Sequence, residues 1–296
     1  MIRDQSLSSK LLDIVVHAVI IVVLIATIYP VLYVLSASLS SPTAYNLGKV
    51  SIFPVDVTIK AYRLIWEAKT VPRSFLNSVI YTTLGTAISM LLTTSLAYAI
   101  SRKKLTLRRF YMVFVLITMY FNGGMITNFL LVKNLGLYNT IWAIVLPTAV
   151  STYYLIIMRS YFQAVPEELN ESAYLDGAND LVIFIRITLP LSMAALVTIG
   201  LFYAVNYWNA WFSSLLYLKD SDKYPLQMVL RQIIIRSELL MQSIKAGEAS
   251  ASEMASTDVT SIKYATLFVS IGPMMILYPF IQKYFVKGVM IGSLKG

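Results

Sequence analysis

The sequence holds no cysteine, which excludes disulfides, thiolate metal sites and cysteine nucleophiles together. Its one histidine, His17, stands alone near the start of an apolar run and reads as an interfacial side chain rather than a zinc or haem ligand. Charge is also scarce, at 13% of residues, where a soluble domain carries about 25%. No Gly-x-x-x-x-Gly-Lys-Ser/Thr loop occurs anywhere, so the chain has no phosphate loop of its own.

What remains is apolar. Hydrophobic residues make up 57% of the chain and the mean hydropathy is +0.69. About 20 consecutive apolar residues span a bilayer as helix, and six runs qualify: 14–35, 75–100, 110–132, 138–159, 189–218 and 263–282. The last is interrupted by Pro273 and Pro279, and the fifth is long enough to tilt. These runs predict an all-α integral membrane protein forming a single domain over residues 1–296. Arg3 and Lys10 precede the first run as they would in a signal peptide. Its length and the lack of a small-x-small cleavage site predict a retained helix instead.

The net charge of +9 comes without an aromatic-interleaved basic patch, which argues against nucleic acid. Lys and Arg instead set membrane orientation. Arg102, Lys103, Lys104, Arg108 and Arg109 crowd the short connection 101–109, and placing it inside puts both termini in the cytoplasm. Over whole loops the 24 Lys and Arg divide about evenly, so the orientation rests on that short, dense loop. The longer connections 36–74 and 219–262 then lie outside. The first carries an amphipathic stretch over 59–66. The second carries a helix from Leu226 to about Lys245, then the Ala/Ser/Glu-rich segment 247–258, which reads as flexible.

No Asp, Glu, Lys, Arg or His lies in the cores of the six runs. Ion-coupled transporters usually place such groups along the ion path, although broken-helix carbonyls also bind sodium. A membrane-embedded enzyme would need an acid/base pair or metal cluster at depth, and none is visible. A transport function therefore takes its energy from a partner.

One polar insert, 160–188, separates the fourth and fifth runs. Pro166 suits the first turn of a helix, and Glu167 and Glu168 complement its positive dipole end. Leu169, Ala173 and Tyr174 form a partly apolar ridge, and Gly177 can take the left-handed conformation that ends a helix. Asn179 or Asp180 can cap a second helix over 181–188, before Pro190 starts the fifth span. The prediction is a helix-turn-helix knob.

This insert resembles the loop by which permease subunits of ATP-binding-cassette importers grip their ATPase, Glu-Ala-Ala-x3-Gly-x9-Ile-x-Leu-Pro. Glu171, Ala173, Gly177, Ile187, Leu189 and Pro190 fall in register, with Ser172 in place of the first Ala. Six runs with the loop between the fourth and fifth are similar to the shorter permease of carbohydrate importers, of the type I fold. The blocks 120–126, 224–232 and 282–288 resemble the branch importing oligosaccharides from complex polysaccharides, with Thr127 where that branch often has Pro. The tail 287–296 resembles the family's glycine-containing C-terminus, which reaches the ATPase interface.

The resemblance implies a bacterial cytoplasmic membrane protein with a second homologous permease subunit. It also implies two cytoplasmic ATPase subunits that bind ATP and Mg, and an extracytoplasmic sugar-binding protein delivering a sugar or oligosaccharide. This chain itself would hold no cofactor or metal and would not be an enzyme. Glu171, Ser172, Ala173, Asp176, Gly177, Ile187, Leu189 and Pro190 are the implied ATPase-coupling residues. An ion-coupled secondary transporter is the alternative.

For the solute path, Asn206, Tyr207, Trp208, Asn209 and Trp211 pair amides with aromatic faces that suit sugar hydroxyls and C–H faces. An outer aromatic belt with amides bonding neighbouring helices explains them equally well. Asn122 with Gly123-Gly124 fits either a helix break lining a cavity or a turn at its mouth.

Overall fold

The computed structural model describes residues 7–245 and 259–293. The segment expected to be flexible and the last three residues of the predicted tail lie outside them. Every regular element among the described residues is helical, and the chain divides into two compact units.

The first unit comprises the chain up to Val71 together with Leu230–Ile271. Helix α1 (Leu7–Ser38) is its longest element, and none of its most apolar window is buried. Ile14, Val22 and Leu24 are more than half exposed, a surface suited to lipid or to another apolar helix. His17 is also exposed, its Nδ1 2.6 Å from the Asp13 carbonyl. Polarity gathers at the other end of α1, where Ser36, Ser38 and Ser40 are buried and Ser38 Oγ meets Tyr62 Oη at 2.7 Å. Ser41 caps α2 (Pro42–Asn46) by accepting from the Ala44 amide at 3.2 Å. The amphipathic stretch forms α3 (Lys60–Glu67), which buries Ala61 and Ile65 and leaves Trp66 exposed.

The second unit holds Pro72–Val229 and the residues from Gly272 on. Most of α4 (Thr70–Ser101) belongs to it, a single apolar helix. Hydropathy predicts 110–132, 138–159 and 189–218 as three continuous runs, but the structure breaks each of them. Helices α5 (Arg108–Tyr120) and α6 (Gly124–Asn134) meet at 112°. Gly124 takes a φ of +77°, where a side chain is strained, and its amide donates to Asn122 Oδ1 at 2.9 Å. The Asn122 side chain thus closes the turn at the break.

The next run contains α7 (Trp142–Val145), a 3-10 turn over Leu146–Thr148 and α8 (Thr152–Gln163), with a 53° bend. Pro147 lacks a backbone donor, and the Ser151 amide freed by the break donates to Tyr203 Oη at 2.9 Å. An unpaired backbone group at membrane depth would cost several kcal/mol, so this hydroxyl makes the break tolerable.

The fifth run falls into three pieces and contains α12 (Met193–Trp208) and α13 (Trp211–Tyr217). Residues 180–191 join α12 at 84°. Pro190 does not begin the membrane helix as expected; the chain turns two residues later, at Ser192.

Tyrosines on α12 hold the unit together. Tyr203 Oη lies 2.7 Å from Thr93 Oγ1, and Tyr207 Oη 2.9 Å from Ser89 Oγ while donating to the Val145 carbonyl at 3.1 Å. The Tyr207 ring packs flat on Gly85, where an added Cβ would come within 2.8 Å of three ring atoms. Interhelical hydrogen bonds in membrane proteins average about 0.6 kcal/mol, so close packing and the paired backbone carry more than any single bond.

Beyond α13 a polar lock fixes the turn 219–225. Asn139 receives the amides of Lys219 and Asp220 on Oδ1 and donates to Asp220 Oδ2 at 2.7 Å. Arg73 pairs with Asp222 at 2.6 Å. The Asn139 and Lys223 hydrogen bonds hold the half-buried Asp220 carboxyl below its ordinary range. From this turn α14 (Leu226–Lys245) leaves, at the residues expected, its first amide donating to Ser78 Oγ at 2.8 Å. The final helix α15 (Val259–Ser293) runs through Pro273 and Pro279, which do not interrupt it.

Candidate functional site

The insert folds as two helices around a glycine. Pro166 stands one residue ahead of the expected position, at the N-cap, with ψ of 134°, and α9 (Glu167–Leu175) follows. Glu167 and Glu168 occupy its first turn, where free backbone amides favour negative charge. The helix ends in a paired return: the Gly177 amide donates to Tyr174 O at 3.0 Å and the Ala178 amide to Ala173 O at 2.9 Å. That geometry requires a left-handed residue, and Gly177 has a φ of +80° with open space about it. Asn179 Oδ1 then accepts from the Val182 amide at 2.9 Å and caps α10 (Asp180–Ile183). A π turn over Phe184–Thr188 leads to α11 (Leu189–Leu191).

The basic loop 101–109 staples this knob in place. Arg102 Nη2 donates to Tyr174 Oη at 2.6 Å, and Tyr174 donates to Asp180 Oδ1, also at 2.6 Å. Arg102 reaches the same carboxylate at 3.4 Å, and the nearly buried Tyr98 donates to the Asp180 carbonyl at 3.0 Å. Lys103 pairs with Glu167 at 3.2 Å, and Lys104 lies over the Tyr174 ring, 4.7 Å from its centre. The hydrogen bond to Asp180 raises the Tyr174 pKa, with burial adding to it. For Arg102 burial works against the charge, but the Tyr174 hydrogen bond, with Asp180 nearby, outweighs it and holds the guanidinium above its ordinary range. Exposed pairs of this kind contribute about 0–1 kcal/mol each, so their effect is positional more than stabilising.

Sequence reasoning assigned Tyr174 to the outward ridge and the basic residues to orientation, and missed the staple. The available signal was charge complementarity between the two polar stretches. The predicted coupling residues divide. Glu171, Ser172, Asp176 and Gly177 are exposed, and Ala173 is half-buried beside them. Leu189 packs against the core, Ile187 is half-buried, and Pro190 is exposed near the bend, so these three do not share the α9 surface. Apolar side chains the sequence did not single out stand out on the knob, with Leu175 89% exposed and Leu181 63%.

The predicted solute-path residues divide more sharply. Tyr207 and Trp208 are buried, Tyr207 in the hydroxyl bonds above and Trp208 edge-on to Phe75 with ring centres 5.8 Å apart. Asn209 donates to Val205 O of its own helix at 3.0 Å. Trp211 packs edge-on against Phe212. Asn122 Oδ1 is occupied by the Gly124 amide and, at 3.4 Å, by the Asn128 amide. Of the six, Asn206 and the edge of the Tyr207 ring line a cleft, about 410 Å³ in volume, with Thr148, Ser151, Tyr203 and Ser213. The Asn206 amide donates to Tyr154 Oη at 3.3 Å. The cleft holds hydroxyls, an amide and aromatic edges, and no charge.

Residues 89–291 match the family model described as "Binding-protein-dependent transport system inner membrane component". The chain is 41% identical over 293 residues to the polygalacturonan/rhamnogalacturonan transport system permease protein YtcP of Bacillus subtilis (strain 168), covering 98% of this chain and 100% of that one. It is 40% identical over 270 residues to protein LplC of the same organism, covering 91% and 90%. Among solved structures, a bacterial ABC transporter involved in the import of the acidic polysaccharide alginate contains a chain 32% identical, with a TM-score of 0.84 over 95% of this chain and 98% of that one.

Proposed function

This chain belongs to the family of inner membrane components of binding-protein-dependent transport systems, and we propose that it forms half of the path by which a sugar or oligosaccharide crosses the membrane. The all-α type I importer fold agrees with the resemblance read from residues 166–190, and the ion-coupled alternative gives way to it. The family is that of a multi-pass, non-catalytic membrane subunit.

A second permease chain completes the path, two ATPase subunits that bind ATP and Mg dock from the cytoplasm, and a solute-binding protein delivers the sugar outside. The knob is the docking point, which puts the basic loop and both termini in the cytoplasm. Closure of the ATPases pulls the knob. The staple makes α9 and α10 move with the end of α4, and that motion reaches the helices around the uncharged cleft. Glu171, Ser172, Asp176 and Gly177 meet the partner, and Asn206 meets the solute.

The observation that carries this reading is the knob itself, with exposed Glu171 and Leu175 on a scaffold pinned by Arg102, Tyr174 and Asp180. The test is to express the chain with its neighbouring transport genes and measure uptake. Uptake should require a phosphate-loop ATPase that co-purifies with this chain, and Glu171→Lys should abolish uptake while membrane insertion survives. Unchanged uptake in the absence of that ATPase would overturn the reading.

A further inference from the structure

The staple leaves a second group of cations without a task. Beside it, the ends of α4, α8 and α9 enclose a pocket of about 80 Å³, lined among others by Arg102, Lys103, Arg108, Gln163, Glu167 and Asn170. That is room for a few waters or one tetrahedral oxyanion. Arg108 Nε and Arg159 Nε both donate to the Ile100 carbonyl, at 3.1 and 3.5 Å. The side-chain oxygen of Gln163, in the orientation its neighbours require, accepts from both guanidiniums as well. Two like charges therefore share two neutral acceptors, and among the described residues neither makes an ion pair. The carboxylates at hand are committed, Glu167 to Lys103 at 3.2 Å and Asp180 to Arg102 at 3.4 Å.

An independent feature points into the same pocket. Asn170, on α9, is 5% exposed, and its buried Oδ1 has no hydrogen-bond partner. Buried polar atoms are nearly always paired, so an orphan on the wall of a polar pocket marks a missing occupant.

We propose that this pocket binds a phosphate oxyanion at Arg108, with Arg159 behind it across Gln163 and the Ile100 carbonyl, Lys103 beside it and Asn170 closing the wall. Guanidiniums fork onto tetrahedral oxyanions, and each here has only neutral acceptors to exchange for a charged one. Facing inorganic phosphate, the Asn170 Oδ1 accepts from the remaining P–OH or from a bound water; facing an ionised phosphodiester, the amide turned end for end donates. Two sources offer this chemistry, the phosphodiester of an anionic lipid and free inorganic phosphate. The pocket sits where apolar α4 and α8 end and α5 begins, the level at which basic pockets meet lipid headgroups. This inference goes beyond the importer reading and does not depend on it.

The test is native mass spectrometry of the full-length protein in detergent, titrated separately with phosphatidylglycerol, phosphatidylcholine and inorganic phosphate. Wild type should retain one phosphatidylglycerol in preference to phosphatidylcholine, and R108Q/R159Q should lose that affinity by about tenfold or more. R108K/R159K should recover most of it, and Lys133→Gln should change nothing. Saturable phosphate binding that R108Q/R159Q abolishes, with no lipid preference, supports the site and assigns free phosphate as its source. N170L keeps every cation, fills the pocket and pairs no polar atom; it should also lose affinity without a fall in thermal stability. Affinity unchanged in N170L and in whichever arginine variant folds would overturn the proposal.

Discussion

The knob at 166–192 and the amide–aromatic run at 206–211 are both polar interruptions of an apolar chain, and they use their side chains in opposite ways. In the knob, the backbone and a few inner groups carry the structure: the Gly177 return, the Asn179 cap and the Arg102–Tyr174–Asp180 staple. That leaves Glu171, Ser172 and Leu175 free on its surface. In the 206–211 run the side chains are themselves the structure, since Tyr207 and Trp208 are buried in contacts with neighbouring helices. Similar residue types thus carry different information. Exposure without a local bonding task marks a surface for a partner, and burial with every polar atom paired marks a joint.

Substitutions can break this contrast. The largest effect is expected at Gly177→Val, which places a β-branched residue at a φ of +80° and costs about 1–2 kcal/mol locally. Uptake should fall at least about tenfold while the membrane-inserted yield stays normal, because the end of α9 is lost and the core is not. Gly85→Ala should do the reverse. Its Cβ meets the Tyr207 ring at 2.8 Å, so thermal unfolding should show about 1–3 kcal/mol of destabilisation, with uptake per folded molecule little changed.

Tyr174→Phe removes only the staple hydroxyl. Stability should change by about 1 kcal/mol or less, and ATPase-coupled uptake should drop more than stability does. In the wild type, alkaline titration should mimic this. The folded pKa of Tyr174 lies above its ordinary value near 10, so its stabilisation is complete below about pH 10 and lost as pH rises through the folded value. The smallest effects come from the two amides. Asn206→Ala should raise the half-saturation concentration about two- to tenfold through a lost solute hydrogen bond. Asn209→Ala, whose amide donates to Val205 O one turn back, should be silent within about 0.5 kcal/mol.

The helical class, the polar insert, its glycine turn and its Asn179 cap were legible because each follows from local chemistry that one stretch of sequence contains. The break at Asn122-Gly123-Gly124 was legible only as one of two readings, and those at 149–151 and Ser192 were not legible. Hydropathy counts apolar residues and is blind to whether a freed amide finds an acceptor, as Ser151 finds one on Tyr203, 52 residues away. The staple was hidden for the same reason, since Arg102 and Tyr174 meet across 72 residues. Periodicity also cannot say whether an aromatic hydroxyl faces a solute or a serine. Tyr207 chose Ser89, and only the Gly85 notch on the facing helix hinted at it.

The central claim is that the α9 surface, and not the 206–211 run, meets the ATPase. The chain has no cysteine, so one substitution introduces the only thiol. Leu175→Cys, at the exposed tip of the knob, should cross-link to the ATPase subunit in intact membranes through a short bifunctional reagent, and Asn209→Cys should not. A Leu175→Cys chain that reaches the membrane, transports normally and forms no ATPase adduct would contradict the account.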